Sequence, residues 1–157
     1  MLLVKDVMMS PIVTISENTP LGEAVALMHD LCISGLPVVD AEGSLVGLVT
    51  EYDVIQAMMP RTTDFLQSDP SAVRTEAMRQ RFCEIAHEPV SQFMAKNIAT
   101  ISDHESILEA AGVVLIRKCK RVPVVREGKP VGIVSRVDIL KAMLQCSLND
   151  VEQAQAA

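Results

Sequence analysis

The sequence contains no tryptophan, only four other aromatic residues, and few basic ones. Its 157 residues include 14 Lys and Arg against 20 Asp and Glu. The aromatic residues are Tyr52, Phe65, Phe82 and Phe93. Nucleic-acid-binding surfaces are usually basic and often stack bases on aromatic side chains. The composition therefore argues against nucleic acid as a partner.

Long apolar runs are also missing, although 49% of the residues are apolar. No run approaches the ~20 residues that a membrane-spanning helix requires. Lys5 and Asp6 interrupt the first apolar residues, so the N-terminus lacks the h-region of a secretory signal. We therefore expect a cytoplasmic protein without a membrane partner, folded as one compact domain or as two small repeats.

Metal-binding and catalytic motifs are absent from the sequence as well. The four cysteines and three histidines are scattered, with no CxxC or HExxH spacing, nucleophile elbow or glycine-rich phosphate loop. The sequence thus predicts neither a metal site nor an enzyme. We expect the cysteines to be buried free thiols, and His104 to be exposed just before a helix. The cysteines are Cys32, Cys83, Cys119 and Cys146.

Charge is distributed unevenly along the chain. Residues 1–75 carry ten acidic and three basic side chains, whereas residues 76–157 carry ten acidic and eleven basic ones. An anion-binding surface is therefore expected in the second half.

The sequence contains an internal repeat. A shift of 86 positions aligns one half with the other, and the shift becomes 85 after one residue is lost in a turn. Two ordered copies indicate two units of the same fold. The aligned pairs include Thr14-Ile15-Ser16 with Thr100-Ile101-Ser102, Pro37-Val38-Val39 with Pro123-Val124-Val125, Val46-Gly47 with Val131-Gly132, and Asp53 with Asp138.

Each copy is predicted to be β-α-β-β-α, which gives a mixed α/β fold (α+β). Apolar residues at helical spacing follow Thr19-Pro20, and two β-branched runs flank a turn that contains Gly43. A repeat with so few strands cannot close its own core easily, so we expect the two repeats to pack sheet to sheet. The expected segments are strands 12–15, 36–39 and 45–50 with helices 21–28 and 51–59, then strand 98–101, helices 105–118 and 136–145, and a further helix after Asp69-Pro70 that carries Met78, Phe82, Ile85 and Ala86.

These motifs resemble a tandem pair of CBS domains, the regulatory module named after cystathionine β-synthase and also called a Bateman module. The strongest matches are GLVTEYDVI and GIVSRVDIL, supported by LPVVD and VPVVR. The resemblance covers residues 2–59 and 88–146, and it leaves 60–87 as a linker with a helix and 147–157 as a mobile tail. It implies repeats related by a pseudo-two-fold axis. Asn97 replaces Pro11, and Arg121 replaces Gly35.

The resemblance also implies an adenosine-containing ligand, such as AMP, ADP, ATP or S-adenosylmethionine, in the cleft between the repeats. Thr50 with Asp53 and Ser135 with Asp138 match the family's ligand-binding hydroxyl and carboxylate. A carboxylate can accept hydrogen bonds from both ribose hydroxyls, and a hydroxyl at a helix N-terminus can help hold a phosphate. The residues implied to contact adenine are Thr14, Ile15, Val38, Thr100, Ile101 and Val124.

Two features of these sites have alternative interpretations. Thr-x-x-Asp and Ser-x-x-Asp at a helix start are also typical of capping boxes that touch no ligand. The bases of the second repeat are expected to contact phosphate, so the Asp138 site would take AMP or ATP. The Asp53 site would then take a neutral or cationic derivative or stay empty. These bases could equally form a solvated face. They are Arg117, Lys118, Lys120, Arg121 and Arg136.

The expected protein is a regulatory module without catalytic activity that signals to an effector protein. The resemblance implies a homodimer formed through the helices. The alternative is a dimeric interaction scaffold with vacant clefts, and a nucleotide-processing enzyme is a third class that lacks a base, nucleophile or metal set. Five methionines are expected to fill the core, namely Met8, Met28, Met58, Met94 and Met143.

Overall fold

A computed structural model of the chain describes the backbone of residues 2–59 and 72–155, and the side chains of residues 2–59 and 75–145. Within these residues the fold is mixed α/β, with two three-stranded sheets and five α-helices. The chain divides into two compact units. Among the described helices, none combines the length and the apolar character that a membrane crossing requires.

The first unit comprises residues 13–98. Its sheet has the order β1-β2-β3, where β1 runs parallel to β2 and β3 runs antiparallel to it. The turn between β2 and β3 contains Gly43 at a φ of +80°, which favours glycine. The elements are β1 (Ile15–Ser16), α1 (Leu21–Asp30), β2 (Gly35–Val39), β3 (Leu45–Thr50), α2 (Glu51–Met58) and α3 (Ala72–Ile85).

The second unit comprises the residues up to Ile12 and those from Ala99 onward. It repeats the same sheet, with β4 parallel to β5 and β6 antiparallel to β5. Gly128 occupies the β5–β6 turn at a φ of +78°. The elements are β4 (Ile101–Ser102), α4 (Ile107–Arg117), β5 (Arg121–Arg126), β6 (Lys129–Ser135) and α5 (Arg136–Gln155).

The core of each unit lies between one face of its sheet and its helices. In the first unit, Leu21, Ala24 and Met28 recur every three or four positions on α1 and pack with Val38 and Val49. The equivalent layer of the second unit consists of Ala110, Val114, Val122, Val124 and Val134. Apolar residues that recur at the helical period of 3.6 form the helix side of each layer, and β-branched residues of the strands form the sheet side.

Each unit is completed by a segment from the start of the other sequence repeat. Val4 is fully buried in the second unit, where its backbone N–H donates to the Glu105 carbonyl at 2.9 Å. Val90 is fully buried in the first unit, and its N–H donates to the Thr19 carbonyl at 2.9 Å. The compact units and the sequence repeats therefore divide the chain differently.

Helix α5 continues beyond the expected end at Gln145 and takes in most of the segment predicted as a tail. Residues 146–155 contain neither Gly nor Pro, so no residue there breaks the helix. The expected linker helix is α3, with Ile85 buried and Phe82 packed against the core. The Asp69-Pro70 start predicted for it lies outside the described residues.

The predictions for the sulfur-containing residues are partly wrong. Cys32 and Cys83 are free but exposed, and Cys119 is half-buried. Cys32 follows the end of α1, and Cys83 lies on the outward side of α3, whose buried side carries Phe82 and Ile85.

The methionine prediction is confirmed for Met28 and Met94, which lie in the core, and Met8 and Met58 pack at its edge. It is wrong for Met143, which is 45% exposed. His104 is exposed, as predicted. The Cys146 side chain lies outside the described residues.

Candidate functional site

The signature hydroxyls lie at two strand-to-helix junctions. Thr50 ends β3, and α2 begins at Glu51; Ser135 ends β6, and α5 begins at Arg136. Asp53 and Asp138 follow within the first helical turn and are half-buried. Each junction therefore places a hydroxyl and a carboxylate beside the free backbone N–H groups of a helix N-terminus.

Both junctions form capping boxes. The Thr50 hydroxyl donates to Asp53 Oδ2 at 2.6 Å, and the Thr50 backbone N–H donates to the same oxygen at 2.8 Å. Ser135 makes the same two bonds to Asp138 Oδ2, at 2.6 and 2.8 Å. The hydroxyls accept from the Asp53 and Asp138 backbone N–H groups at 3.4 and 3.3 Å. All hydrogen bonds described for the two carboxylates go to Oδ2.

The structure brings three of the five predicted bases to the Ser135 junction. Arg121 lies opposite Ser135 in the β5–β6 pairing. The Arg136 backbone N–H donates to the Lys120 carbonyl at 3.3 Å. The Lys120 and Arg136 side chains are exposed, and Arg121 is half-buried. This junction therefore combines a carboxylate, a hydroxyl and basic side chains.

The remaining two predicted bases lie at the end of α4. Arg117 is the last residue of this helix, and Lys118 caps it in a left-handed conformation with a φ of 51°. Both side chains are exposed. They precede Lys120 by two or three residues on the same connection into β5.

The Thr50 junction has the same backbone but different charges. Gly35 lies opposite Thr50, and the Glu51 N–H donates to the Ser34 carbonyl at 3.1 Å. A Cβ at Gly35 would lie 3.1 Å from Thr50 Cγ2 and 3.2 Å from the Val49 carbonyl oxygen, so this position is tight for a side chain. Glu51 thus occupies the position equivalent to Arg136. Ser34 and Gly35 occupy the positions equivalent to Lys120 and Arg121, so these two positions carry no basic side chain.

The residues implied to contact adenine lie beside each other in the sheets. Ile15 pairs with Val38, and Ile101 pairs with Val124. All four side chains are buried in the cores of their own units. Because the side chains are buried, a ligand would contact these residues through their main-chain atoms. Thr14 and Thr100 are exposed just before β1 and β4.

The sequence analysis missed an ion pair between a buried carboxylate and an exposed guanidinium. The Asp103 side chain is fully buried and accepts hydrogen bonds from Nε of Arg126, at 3.0 Å, and from its Nη2. The hydrogen bond from Arg126 lowers the pKa of the Asp103 carboxyl, while burial acts in the opposite direction. Glu17 and Asp40 occupy the equivalent positions of the first repeat, so comparing the repeats gave no signal for this pair.

A groove of about 530 Å³ lies between α1 and α2. Its lining is mostly apolar, with Met28, Val54 and Met58 inside and Cys32 and Glu51 among the other lining residues. The sequence analysis expected Met28 and Met58 to fill the core and did not predict a groove. No group of three or more potential metal ligands is assembled among the described residues.

Comparison with known proteins identifies related chains over nearly the whole length. A family model described as "CBS domain" matches residues 4–60 and 90–145. An uncharacterized protein of Methanocaldococcus jannaschii is 28% identical over 155 residues, which cover 91% of this chain and 92% of that protein.

Solved structures match the fold of the chain. The CBS domain pair of protein MJ0100, in complex with 5′-methylthioadenosine and S-adenosyl-L-methionine, is 26% identical with a TM-score of 0.66, covering 90% of this chain and 94% of that one. The complex of CBSX2 with AMP is 24% identical with a TM-score of 0.72, covering 94% and 99%. The similarity to CBSX2 shows that the two chains share a fold.

Some relatives are much longer than this chain. The match to the inosine-5′-monophosphate dehydrogenase of Methanocaldococcus jannaschii is 28% identical and covers 87% of this chain but only 22% of the enzyme. Another uncharacterized protein of that organism is 33% identical, and the chain spans 31% of its length. The same pair of repeats thus occurs both as most of a protein and as a small part of one.

Proposed function

This chain belongs to the CBS domain family as a tandem pair of repeats, and from that membership we propose that it is a regulatory module for an adenosine-containing ligand. It catalyses no reaction itself and passes the binding signal to an effector protein. The observation that carries the proposal is the Ser135 junction, where a carboxylate oxygen, a helix N-terminus and three bases are assembled. The complex of the MJ0100 pair with two adenosine derivatives supports this ligand class.

The proposed Asp138 site takes a phosphorylated adenosine such as AMP or ATP. Asp138 Oδ1 accepts a ribose hydroxyl, while Ser135 and the first N–H groups of α5 contact phosphate. Arg121, Arg136 and Lys120 supply positive charge at this junction, and Arg117 and Lys118 extend it. The main chain at Ile101 and Val124 is the proposed contact for adenine, with Thr100 beside it.

The proposed Asp53 site prefers an uncharged or cationic adenosine derivative, or stays empty. Thr50 and Asp53 offer the same hydroxyl and carboxylate, and the main chain at Ile15 and Val38 offers the same contact for the base. Glu51 opposes a phosphate here by like-charge repulsion. The ligand-dependent output then follows from a difference in affinity between two conformations of the protein.

The proposed assembly is a homodimer formed through the helices, whose state the effector protein senses. The proposed compartment is the cytoplasm. Cys32, Cys83 and Cys119 are free thiols, and free thiols are usual in reducing compartments.

A dimeric scaffold with vacant clefts is the second candidate, and the capping boxes favour it. With hydroxyl-to-carboxylate distances of 2.6 Å at both junctions, Thr50, Asp53, Ser135 and Asp138 already satisfy one another without a ligand. In this case their role is only to begin α2 and α5.

Thermal unfolding with AMP, ATP, adenosine and 5′-methylthioadenosine separates the two candidates. A ligand at 100 times its dissociation constant stabilises the protein by about 2.7 kcal/mol per site, which raises the unfolding midpoint by roughly 5–11 °C. Asp138→Ala is expected to lose the AMP-induced rise, and Asp53→Ala is expected to retain it. Glu109→Ala is the matched control, because it removes the equivalent carboxylate from the α4 capping box without touching either junction. A scaffold would show no rise with any ligand and a similar loss of stability in all three variants.

The phosphate contacts have their own test. The double variant Arg121→Gln/Arg136→Gln is expected to weaken AMP binding by about tenfold or more, since each charge-assisted hydrogen bond contributes more than 1 kcal/mol, and to leave adenosine binding nearly unchanged. Titration calorimetry measures both affinities, with Lys129→Gln at the start of β6 as a control that removes an exposed positive charge away from the junction. Equal weakening of both ligands would contradict the phosphate role.

A further inference from the structure

The two repeats differ at a cross-strand pair of residues that borders each junction. Gly35 lies opposite Thr50 in the β2–β3 pairing, and Arg121 lies opposite Ser135 in the β5–β6 pairing. The two pairs are equivalent, since Thr50 and Ser135 each end a strand immediately before a helix. A residue without a side chain thus faces threonine in one repeat, and a long basic residue faces serine in the other.

The backbone conformation does not require glycine at residue 35. Gly35 lies within β2 and has no positive φ, so any L-amino acid can adopt its backbone conformation. The space beside it is the limiting factor. A Cβ at this position would lie 3.1 Å from Thr50 Cγ2 and 3.2 Å from the Val49 carbonyl oxygen. Nonbonded carbon atoms prefer a separation of about 3.5–4.0 Å, so the contact with the methyl is repulsive.

Of these two crowding groups, only the methyl differs between the repeats. Val49 has Val134 as its counterpart, so the same residue type precedes the junction in both repeats. Serine has no γ-methyl group, and Arg121 carries its Cβ opposite Ser135. The second repeat therefore lacks the side-chain group that crowds residue 35 in the first.

The capping box holds the methyl of Thr50 in place. The Thr50 hydroxyl donates to Asp53 Oδ2 at 2.6 Å and accepts from the Asp53 N–H at 3.4 Å, which selects one χ1 rotamer. Because threonine has a fixed chirality at Cβ, its Cγ2 has a single position once Oγ1 is held. The Ser135 hydroxyl makes the same two bonds to Asp138, at 2.6 and 3.3 Å. The substitution Ser135→Thr would therefore direct its methyl toward the Cβ of Arg121.

We propose that the Gly35–Thr50 and Arg121–Ser135 pairs are specificity determinants, because they decide which junction carries a base beside its helix N-terminus. The methyl of Thr50 excludes a side chain from residue 35, whereas serine at the other junction admits Arg121. This inference rests on the proposed adenosine-binding function. It assigns the selection between phosphorylated and uncharged ligands to packing between two neighbouring strands.

A double-variant cycle without ligand tests the packing. Gly35→Ala is expected to lower the thermal unfolding midpoint by roughly 3–6 °C through overpacking. The fall should be at least halved when Thr50→Ser is also present, because the two substitutions then share one contact. Differential scanning calorimetry measures the four midpoints. An equal fall with and without the methyl would overturn the inference, whether or not any ligand binds.

The substitution Ser135→Thr tests the role of the pair in binding. It keeps the capping hydroxyl and adds the methyl opposite Arg121. We expect AMP to bind about tenfold more weakly, because the displaced guanidinium loses contact with phosphate, and adenosine to bind nearly as before. Ser106→Thr adds the same methyl to the capping serine of α4 and is the matched control. Titration calorimetry measures the affinities. An unchanged AMP affinity, or equal weakening of both ligands, would contradict the selecting role.

Transfer of the base to the first junction is the complementary test. The parent chain carries Asp138→Ala, which disables the second site. Gly35→Arg/Thr50→Ser/Glu51→Arg then gives the first junction the residues of the second, and we expect AMP binding to appear. The matched variant Gly35→Arg/Glu51→Arg has the same charges but keeps the methyl, and it should bind AMP at least tenfold more weakly. Comparable AMP binding by these two variants would overturn the role of the methyl.

Glu42→Arg in the parent chain controls for added positive charge. Glu42 is exposed in the β2–β3 turn, so this variant should leave AMP binding at the level of the parent chain. Failure of the proposed function gives a different result from failure of this inference. Absence of AMP binding by the wild-type chain would refute both the proposed function and the selection. AMP binding by the wild-type chain together with an uncoupled ligand-free cycle would refute this inference alone.

Discussion

At the scale of single residues, the helix-capping role of the Thr50 and Ser135 hydroxyls is compatible with the ligand-binding role proposed for them. Each one donates to its Asp Oδ2 and accepts from a helix N–H, so the junction is rigid without a ligand. A helix cap of this kind can therefore hold a binding carboxylate in a fixed orientation.

The ion pair of Asp103 and Arg126 predicts a specific pH dependence. The folded-state pKa of Asp103 is lowered, so its stabilising contribution is present above the unfolded pKa of about 3.9 and is lost as pH falls through the folded pKa. We expect Asp103→Asn to unfold at lower urea than the wild type at pH 7, and the difference to shrink as the pH approaches the folded pKa. Urea unfolding midpoints between pH 7 and pH 3 measure this. A constant difference across that range would contradict the assignment.

Gly47 and Gly132 lie beneath Met94 and Met8. These methionines belong to the segments that each unit takes from the other sequence repeat, which we call the exchanged segments. A Cβ at Gly47 would lie 2.5 Å from Met94 Sδ and 3.0 Å from the Ala95 carbonyl oxygen, and one at Gly132 would lie 2.5 Å from Met8 Sδ. Gly47→Ala and Gly132→Ala are therefore expected to destabilise the protein by about 1–3 kcal/mol through overpacking. Chemical denaturation measures the loss. Wild-type stability in both variants would mean that the methionines move aside freely.

At the scale of elements, helix α4 and the β5–β6 turn offer the same substitution, glycine to alanine, in two different backbone conformations. We expect its effect on stability to be opposite in the two places. Gly112 has helical backbone within α4, and Gly128 has a φ of +78° in a turn, yet a Cβ at either position meets nothing within 4 Å. We expect Gly112→Ala to stabilise the protein by about 0.5–1 kcal/mol, because alanine loses less conformational entropy in a helix.

Gly128→Ala is the control for this prediction. It is expected to destabilise the protein by roughly 1 kcal/mol, because the left-handed conformation strains any side chain that begins with a Cβ. Denaturation midpoints of the two variants should thus move in opposite directions. If both moved in the same direction, backbone conformation would not be the deciding factor.

At the scale of the whole molecule, the exchanged segments decide which fragments can fold. The first unit takes Val90 and Met94 into its core, and neither belongs to the first sequence repeat. A fragment of residues 13–98 is therefore expected to unfold cooperatively in urea, whereas residues 1–86, a complete sequence repeat, should not. Circular dichroism and urea titration distinguish the two. A cooperative transition in the 1–86 fragment would show that the exchanged segment is dispensable.

The sequence alone determined the repeat, the order of the elements and the positions of the signature residues. These depend on local patterns: apolar periodicity in α1 and α4, β-branched runs in β2 and β5, and Gly43 in its turn. Strand β3 occurs at Leu45–Thr50, as predicted. The family signature placed Thr50, Asp53, Ser135 and Asp138 at the strand-to-helix junctions.

Only the tertiary structure decided which distant residues meet. The burial of Asp103 under Arg126 and the docking of Val4 beside Glu105 join residues that are separated by other elements in the sequence. Sequence periodicity reports which face of an element is apolar and does not report what covers that face. For this reason Leu108, Leu115 and Leu140 could not be separated from core residues until the structure placed their side chains in solvent.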